Sequence, residues 1–149
     1  ARIKLPPTDM EQGGPSNRLP SVTWIQSCAE ELPLDDACAD IVISTSAFHF
    51  FRDKPQALRQ MHRILKPSTG KLILTDWCAD FFIVRWYHWF ESLRWNWQFP
   101  HLYPGPLRST ALKELVEQAG FSNVKIETYT IWFWIICVWR MQTVTADKI

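Results

Sequence analysis

The side chains best suited to moving a proton or holding a ligand lie near the ends of two apolar runs. His49 follows the first run, Asp40-Ile41-Val42-Ile43-Ser44-Thr45, and sits between Phe48 and Phe50. With an ordinary pKa near neutrality, it would serve as a proton acceptor at a ligand-binding edge. Packed between its aromatic neighbours it would be structural, and both readings stay open. Asp76 and Asp80 end and follow the second run, Lys71-Leu72-Ile73-Leu74-Thr75-Asp76. They suit a substrate hydroxyl or amine, or the cap of the next helix. Cys28 lies in a loop beside Glu30 and Glu31. A reactive thiolate needs a cationic neighbour or a helix N-terminus, so this thiol is expected to be inert and packed.

Other chemistry is excluded. The five glycines stand at positions 13, 14, 70, 105 and 120, with no pair separated by one residue. The GxGxxG dinucleotide fingerprint, its GxGxG relative and a Walker A loop are therefore absent. So are GxSxG and HExxH, and with them a nucleophile elbow and a zincin site. The four cysteines include no CxxC pair, which leaves no zinc signature and favours a reduced, cytoplasmic setting. A net charge of +1 gives no electrostatic case for nucleic acid. The most apolar run, Ile131–Trp139, is shorter than the ~20 residues of a membrane helix.

Elements must position these residues. Two runs that are apolar on both faces, joined through a helix over Pro55–Lys66, predict a parallel β-α-β crossover. Asp53 suits the helix cap, and Leu58, Met61 and Leu65 its apolar face. Ligands bind such sheets beyond the carboxyl ends of the strands, here Ser44–Phe51 and Asp76–Asp80. Val22–Gln26 is strand-like by residue type. From Phe81 to Trp97 an amphipathic helix is expected, with Phe82, Trp86, Trp89, Phe90, Leu93 and Trp97 on one side. Ser109 or Thr110 caps a further helix, with Leu112, Leu115, Val116 and Ala119 inward and Gly120 as its left-handed stop. Val124–Thr130 and Trp132–Arg140 close the chain as an antiparallel hairpin. Residues 1–21, rich in Pro and Gly, read as a flexible lead-in.

These pieces resemble the class I S-adenosylmethionine-dependent methyltransferases, in particular the group of the ubiquinone and menaquinone C-methyltransferases. Cys28-Ala29-Glu30-Glu31-Leu32-Pro33 is similar to the family's D-A-E-x-L-P loop after its third strand. Phe48-His49-Phe50 resembles its H-H or H-F pair. Ala57–Pro67 resembles its A-L-x-E-x-x-R-V-L-K-P helix, and Ala119-Gly120-Phe121 its A-G-F hairpin. The resemblance covers residues 22 to 140. It implies an incomplete Rossmann-like α/β sheet, equivalent to strands 3, 4, 5, 6 and 7 of the order 3-2-1-4-5-7-6. Helices would cover both faces, and residues 22–149 would form a partial domain.

By the same resemblance the cofactor is S-adenosylmethionine. Its adenine would be held at Cys28 and Ala29, although Cys28 replaces an acceptor carboxylate with a far weaker thiol. Its methionine part would lie along Ser44, Thr45 and Ser46. Trp77, Phe82, Trp86 and Trp89 would contact an apolar or aromatic small-molecule substrate under a cover segment, residues 81–106. Two readings stay open: methyl transfer to such a molecule, and a non-catalytic methyltransferase-like binding module or truncated fragment. With the family's first two strands missing, an open sheet edge is expected to invite self-association.

Overall fold

The computed structural model describes residues 22–98, 105–133 and 136–149. The predicted crossover forms its centre. Strand β1 (Ile41–Thr45) pairs parallel with β2 (Lys71–Trp77), in register from Ile41 opposite Lys71 to Thr45 opposite Thr75. Helix α1 (Lys54–Ile64) connects them; the Asp53 carboxylate accepts the Gln56 N–H at 2.8 Å, and Pro55 occupies the first turn. Helix α2 (Phe82–Gln98) and helix α3 (Ser109–Gln118) precede a long hairpin of β3 (Ser122–Phe133) and β4 (Ile136–Asp147). β4 inserts antiparallel between β2 and β3, giving the order β1-β2-β4-β3. That is the 4-5-7-6 portion of the expected sheet.

One face of the sheet carries the core. Leu72 and Leu74 of β2 lie beside Val144 and Ala146 of β4. Leu58, Met61 and Leu65 from α1 and its end, with Leu112 and Val116 from α3, close over them. Phe48 and Phe121 complete the cluster. Burying each large aliphatic or aromatic side chain contributes about 1.5–3 kcal/mol. The opposite face is less covered. Ile41 and Ile43 are 54% and 66% exposed, and β1 is an edge strand. α2 reaches that side at the far end of β2, where Tyr87 touches Trp77 and Trp139.

The sheet's last residues lock α1 in place. Lys148 Nζ donates to the carbonyls of His62 (2.7 Å), Arg63 (3.3 Å) and Leu65 (2.8 Å). Carbonyls at a helix end have no partner inside the helix and carry its negative pole, so a lysine there satisfies and neutralises them together. Gly120 ends α3 at φ +96°, as expected. A Cβ there would also approach the His62 ring at 3.4 Å.

Several expectations are corrected. Val22–Gln26 is not a strand: its residues are exposed, and no strand pairs with them among the described residues. Strand propensity acts only through neighbours to pack against, and the described residues supply none here. The hairpin turn falls later than expected: β3 runs to Phe133, Trp132 pairs with Cys137, and β4 continues to Asp147. The unbroken apolar run Ile131–Trp139 has no Gly or Pro to mark it. The α2 helix forms as expected, and on its aromatic side Phe82, Trp86 and Trp89 are 69%, 64% and 58% exposed. Among the described side chains of that helix, Val84 is fully buried. The lead-in at 1–21 lies outside the described residues.

Lys148→Met keeps the length of the side chain and removes its donors. It is expected to lower unfolding stability by about 1–3 kcal/mol in urea titration, the range for a lost charged hydrogen bond.

Candidate functional site

The carboxyl ends of β1 and β2 meet where the sequence places a ligand edge. Ser44 is nearly buried, and Thr45 and Ser46 are exposed. Ser46 takes a left-handed φ of +51° while its N–H still donates to Thr75 O at 2.8 Å. Such a φ is uncommon outside glycine and turns the chain sharply off the strand. The short 3-10 turn Phe48–Phe50 follows and carries His49 inward.

His49 is only 1% exposed. Its backbone N–H donates to Asp76 Oδ2 at 2.6 Å, and its Nδ1 lies 2.5 Å from Oδ1. The same Oδ1 accepts the Trp77 N–H at 2.8 Å. The imidazole stacks on Trp77, with ring centres 4.3 Å apart and planes 17° apart, and it touches Phe50 on another side. Lys54 is buried below, its Nζ donating to Phe51 O (3.1 Å) and His49 O (3.3 Å). Desolvation lowers its pKa from an ordinary 10.5 to about 8, against the opposing pull of Asp76 and Glu30.

The loop carrying Cys28 and Ala29 is fastened to this turn. Glu30 accepts the backbone N–H groups of Arg52 (3.1 Å) and Asp53 (3.3 Å), placing a carboxylate at the N-terminus of α1. Gln56 donates to Glu30 O, and Arg63 holds the far side through Leu32 O, Leu34 O and Asp36. Cys28 itself stands exposed instead of packed.

The wall beyond β2 is aromatic. Trp77 meets Trp139 edge-on at 4.9 Å, and Tyr87 lies 5.2 Å from Trp139 and 6.3 Å from Trp77. The ends of the α2 excursion are drawn together beneath it. Cys78 forms a bridge with Leu107, and Ala79 N–H donates to Leu107 O at 3.0 Å. Asp80 accepts both the N–H and the hydroxyl of Ser109, the first residue of α3. α3 is therefore capped by a residue 29 positions away, not by Ser109 or Thr110. Those bonds from Ser109 are the largest cause of the lowered Asp80 pKa.

The structure thus gathers Ser44, Thr45, Ser46, His49 and Trp77 at one edge and ties the Cys28–Ala29 loop beside them. Phe82, Trp86 and Trp89 are on the excursion but face solvent. Lys54, Tyr87, Trp139 and Gln142 were not anticipated from sequence. Only Lys54 left a trace: a cation in the first turn of a helix opposes the dipole, a local inconsistency of the kind found at sites. Among the described residues no group of His, Cys, Asp and Glu is placed to hold a metal ion. No helix there is long and apolar enough to cross a membrane.

A family model described as a methyltransferase domain matches residues 7–74. The chain is 40% identical over 85 residues to the Escherichia coli protein YafE, spanning 56% of this chain and 41% of that protein. It is 27% identical over 122 residues to the ubiquinone/menaquinone biosynthesis C-methyltransferase of Haemophilus ducreyi, spanning 70% of this chain and 46% of that enzyme. It therefore spans less than half the length of these two relatives. A solved structure of a SAM-dependent methyltransferase from Thermotoga maritima, described as a possible histamine N-methyltransferase, superposes with a TM-score of 0.68. That match covers 83% of this chain and 63% of the other at 22% identity. The likeness shows the α/β methyltransferase fold.

The buried Lys54 makes stability depend on pH with a defined sign. Between about pH 8 and its ordinary 10.5, the unfolded chain holds the proton that the folded chain has released. Stability contributed by this residue therefore rises with pH through that window, by at most about 1 kcal/mol per pH unit. Denaturation of the wild type and Lys54→Met across pH 7 to 10.5 checks this; the difference between them should shift toward the wild type as pH rises.

Proposed function

We propose that this chain is a member of the class I S-adenosylmethionine-dependent methyltransferases and that it serves methyl transfer to a small apolar or aromatic molecule. The observation that carries the reading is the aromatic wall of Trp77, Tyr87 and Trp139 at the carboxyl end of the parallel pair. Flat apolar acceptors are held by such surfaces, with a few polar groups to orient them. Residues 22–149 act as a partial domain, with 81–106 as the segment next to the acceptor. Phe82, Trp86 and Trp89 extend its apolar surface outward, and Trp77 forms the inner contact.

The residues present fit part of S-adenosylmethionine. In this reading the Cys28–Ala29 loop, which Glu30 fastens to the start of α1, would hold the adenine, and the turn at Ser44–Ser46 the methionine portion. The sequence holds no glycine-rich loop, so those residues account for one side of the cofactor only. When bound, the cofactor supplies an electrophilic methyl group. The chain's own contribution is to position the acceptor and exclude water, which does most of the work in an in-line displacement. His49, enclosed and bonded to Asp76, holds the Trp77 ring in place and keeps the turn after β1 folded. The open edge of β1 would accept a strand from a second copy, and a cytoplasmic setting agrees with the free thiols Cys28, Cys38 and Cys78.

The absent carboxylate at Cys28 favours one alternative, a non-catalytic module that retains the fold. Calorimetric titration with S-adenosylmethionine separates the two. Binding near the millimolar range is expected for the chain as it stands. Cys28→Asp, which restores an acceptor for the adenine amino group, should tighten binding roughly tenfold, the worth of one charged hydrogen bond. No heat from either protein up to about 1 mM cofactor would overturn the cofactor assignment.

A further inference from the structure

The two segments that flank residues 81–106 meet at one point of the sheet. The outgoing stem is Trp77–Asp80 and the returning stem is Leu107–Ser109, joined by the Cys78–Leu107 bridge. Beneath both stems lies Gln142 of β4, fully buried and directly opposite Asp76 in the strand register. Its single amide spans the two stems: Nε2 donates to Trp77 O at 3.1 Å and to Leu107 O at 3.0 Å.

We infer that Gln142 is a positioning residue, the clamp that sets the start of α2, and with it Tyr87, against Trp77 and Trp139. The inference rests on the reading of 81–106 as the segment next to the acceptor. The choice of residue type is the argument. The next positions of β4 on this face are Val144 and Ala146, both apolar and buried. A glutamine at the same level costs desolvation of its amide, and its buried Oε1 has no hydrogen-bond partner among the described residues. An apolar side chain would avoid that cost but would join nothing. The two donated bonds are what glutamine adds, and both go to backbone carbonyls that flank the excursion. Because the acceptors are backbone atoms, the clamp holds whichever side chains line the excursion.

Gln142 also stands next to the other fixed point of the site. Asp76, its cross-strand neighbour, holds His49 and the turn after β1. Adjacent positions on β2 and β4 therefore secure the two sides of the site: Asp76 the cofactor-side turn, Gln142 the acceptor-side excursion. Loosening Gln142 should free the second side and leave the first in place.

Hydrogen exchange on the full chain tests this with Gln142→Met, which keeps the volume, and Gln142→Asn, which keeps the amide but is too short to span both stems. In both variants amides of 82–98 should exchange about tenfold faster, while those of α1 and α3 keep wild-type protection, as local opening requires. Unchanged exchange in 82–98, or equal loss in α1 and α3, overturns the inference. A second readout is methyl transfer from S-adenosylmethionine to a short-chain benzoquinol. KM for the quinol should rise about tenfold, with the affinity for S-adenosylhomocysteine unchanged, as expected when only acceptor positioning is lost. A fall in cofactor affinity with KM unmoved overturns it as well. Absence of turnover in the wild type counts against the methyltransferase reading, and the exchange result then decides the role of Gln142.

Discussion

A single buried carboxyl group organises the ligand edge of this fold. Asp76 accepts three N–H groups: two from His49 and one from Trp77. A polar group enclosed this completely is tolerated only when its lone pairs are used, and here they draw together residues from two segments. The 3-10 turn after β1 is pulled onto the end of β2, and the imidazole is laid flat against the Trp77 ring. The left-handed turn at Ser46, the burial of Phe48 and the seat of Lys54 all lie within the few residues held this way. Removing that acceptor would leave buried donors unpaired, which costs more than the bonds contribute in place.

The same region shows how distant segments replace local caps. α3 begins without a cap from its own residues and takes Asp80 instead. α1 ends on Lys148, from beyond the last strand. Glu30 sits over the N-terminus of α1 from a loop more than twenty residues upstream. Each of these bonds satisfies a backbone group that a helix end leaves open, and each also fastens two segments that the sheet does not join. A loop-rich ligand edge is stiffened in this way without added strands.

The remaining surface has a different character. Ile41 and Ile43 lie on an edge strand, with their side chains open to solvent, and α2 presents Phe82, Trp86 and Trp89 outward. The core on the α1 and α3 side is closed by contrast. The chain spans less than half the length of the two curated relatives it was compared with, and its family match ends at residue 74, within β2.

Sequence alone determined the local elements whose signals are short-range. The β-α-β crossover follows from two β-branched runs and the i, i+3, i+7 face of Leu58, Met61 and Leu65. The stop at Gly120 follows from the freedom of glycine to take positive φ. The motifs around Ala57–Pro67 and Cys28–Pro33 carried the resemblance to the methyltransferases. Tertiary structure decided whatever depends on a partner far along the chain. Val22–Gln26 has strand residues but no strand to pair with among the described residues, and it does not become one. Which face of α2 turns inward was set by Tyr87 meeting Trp77 and Trp139, because periodicity defines a stripe and not its direction. The pairing of Asp76 with His49 was legible only as two polar residues near one edge. Gln142 gave no sign at all, since its role depends on the β2–β4 register that brings it opposite Asp76 and under both stems.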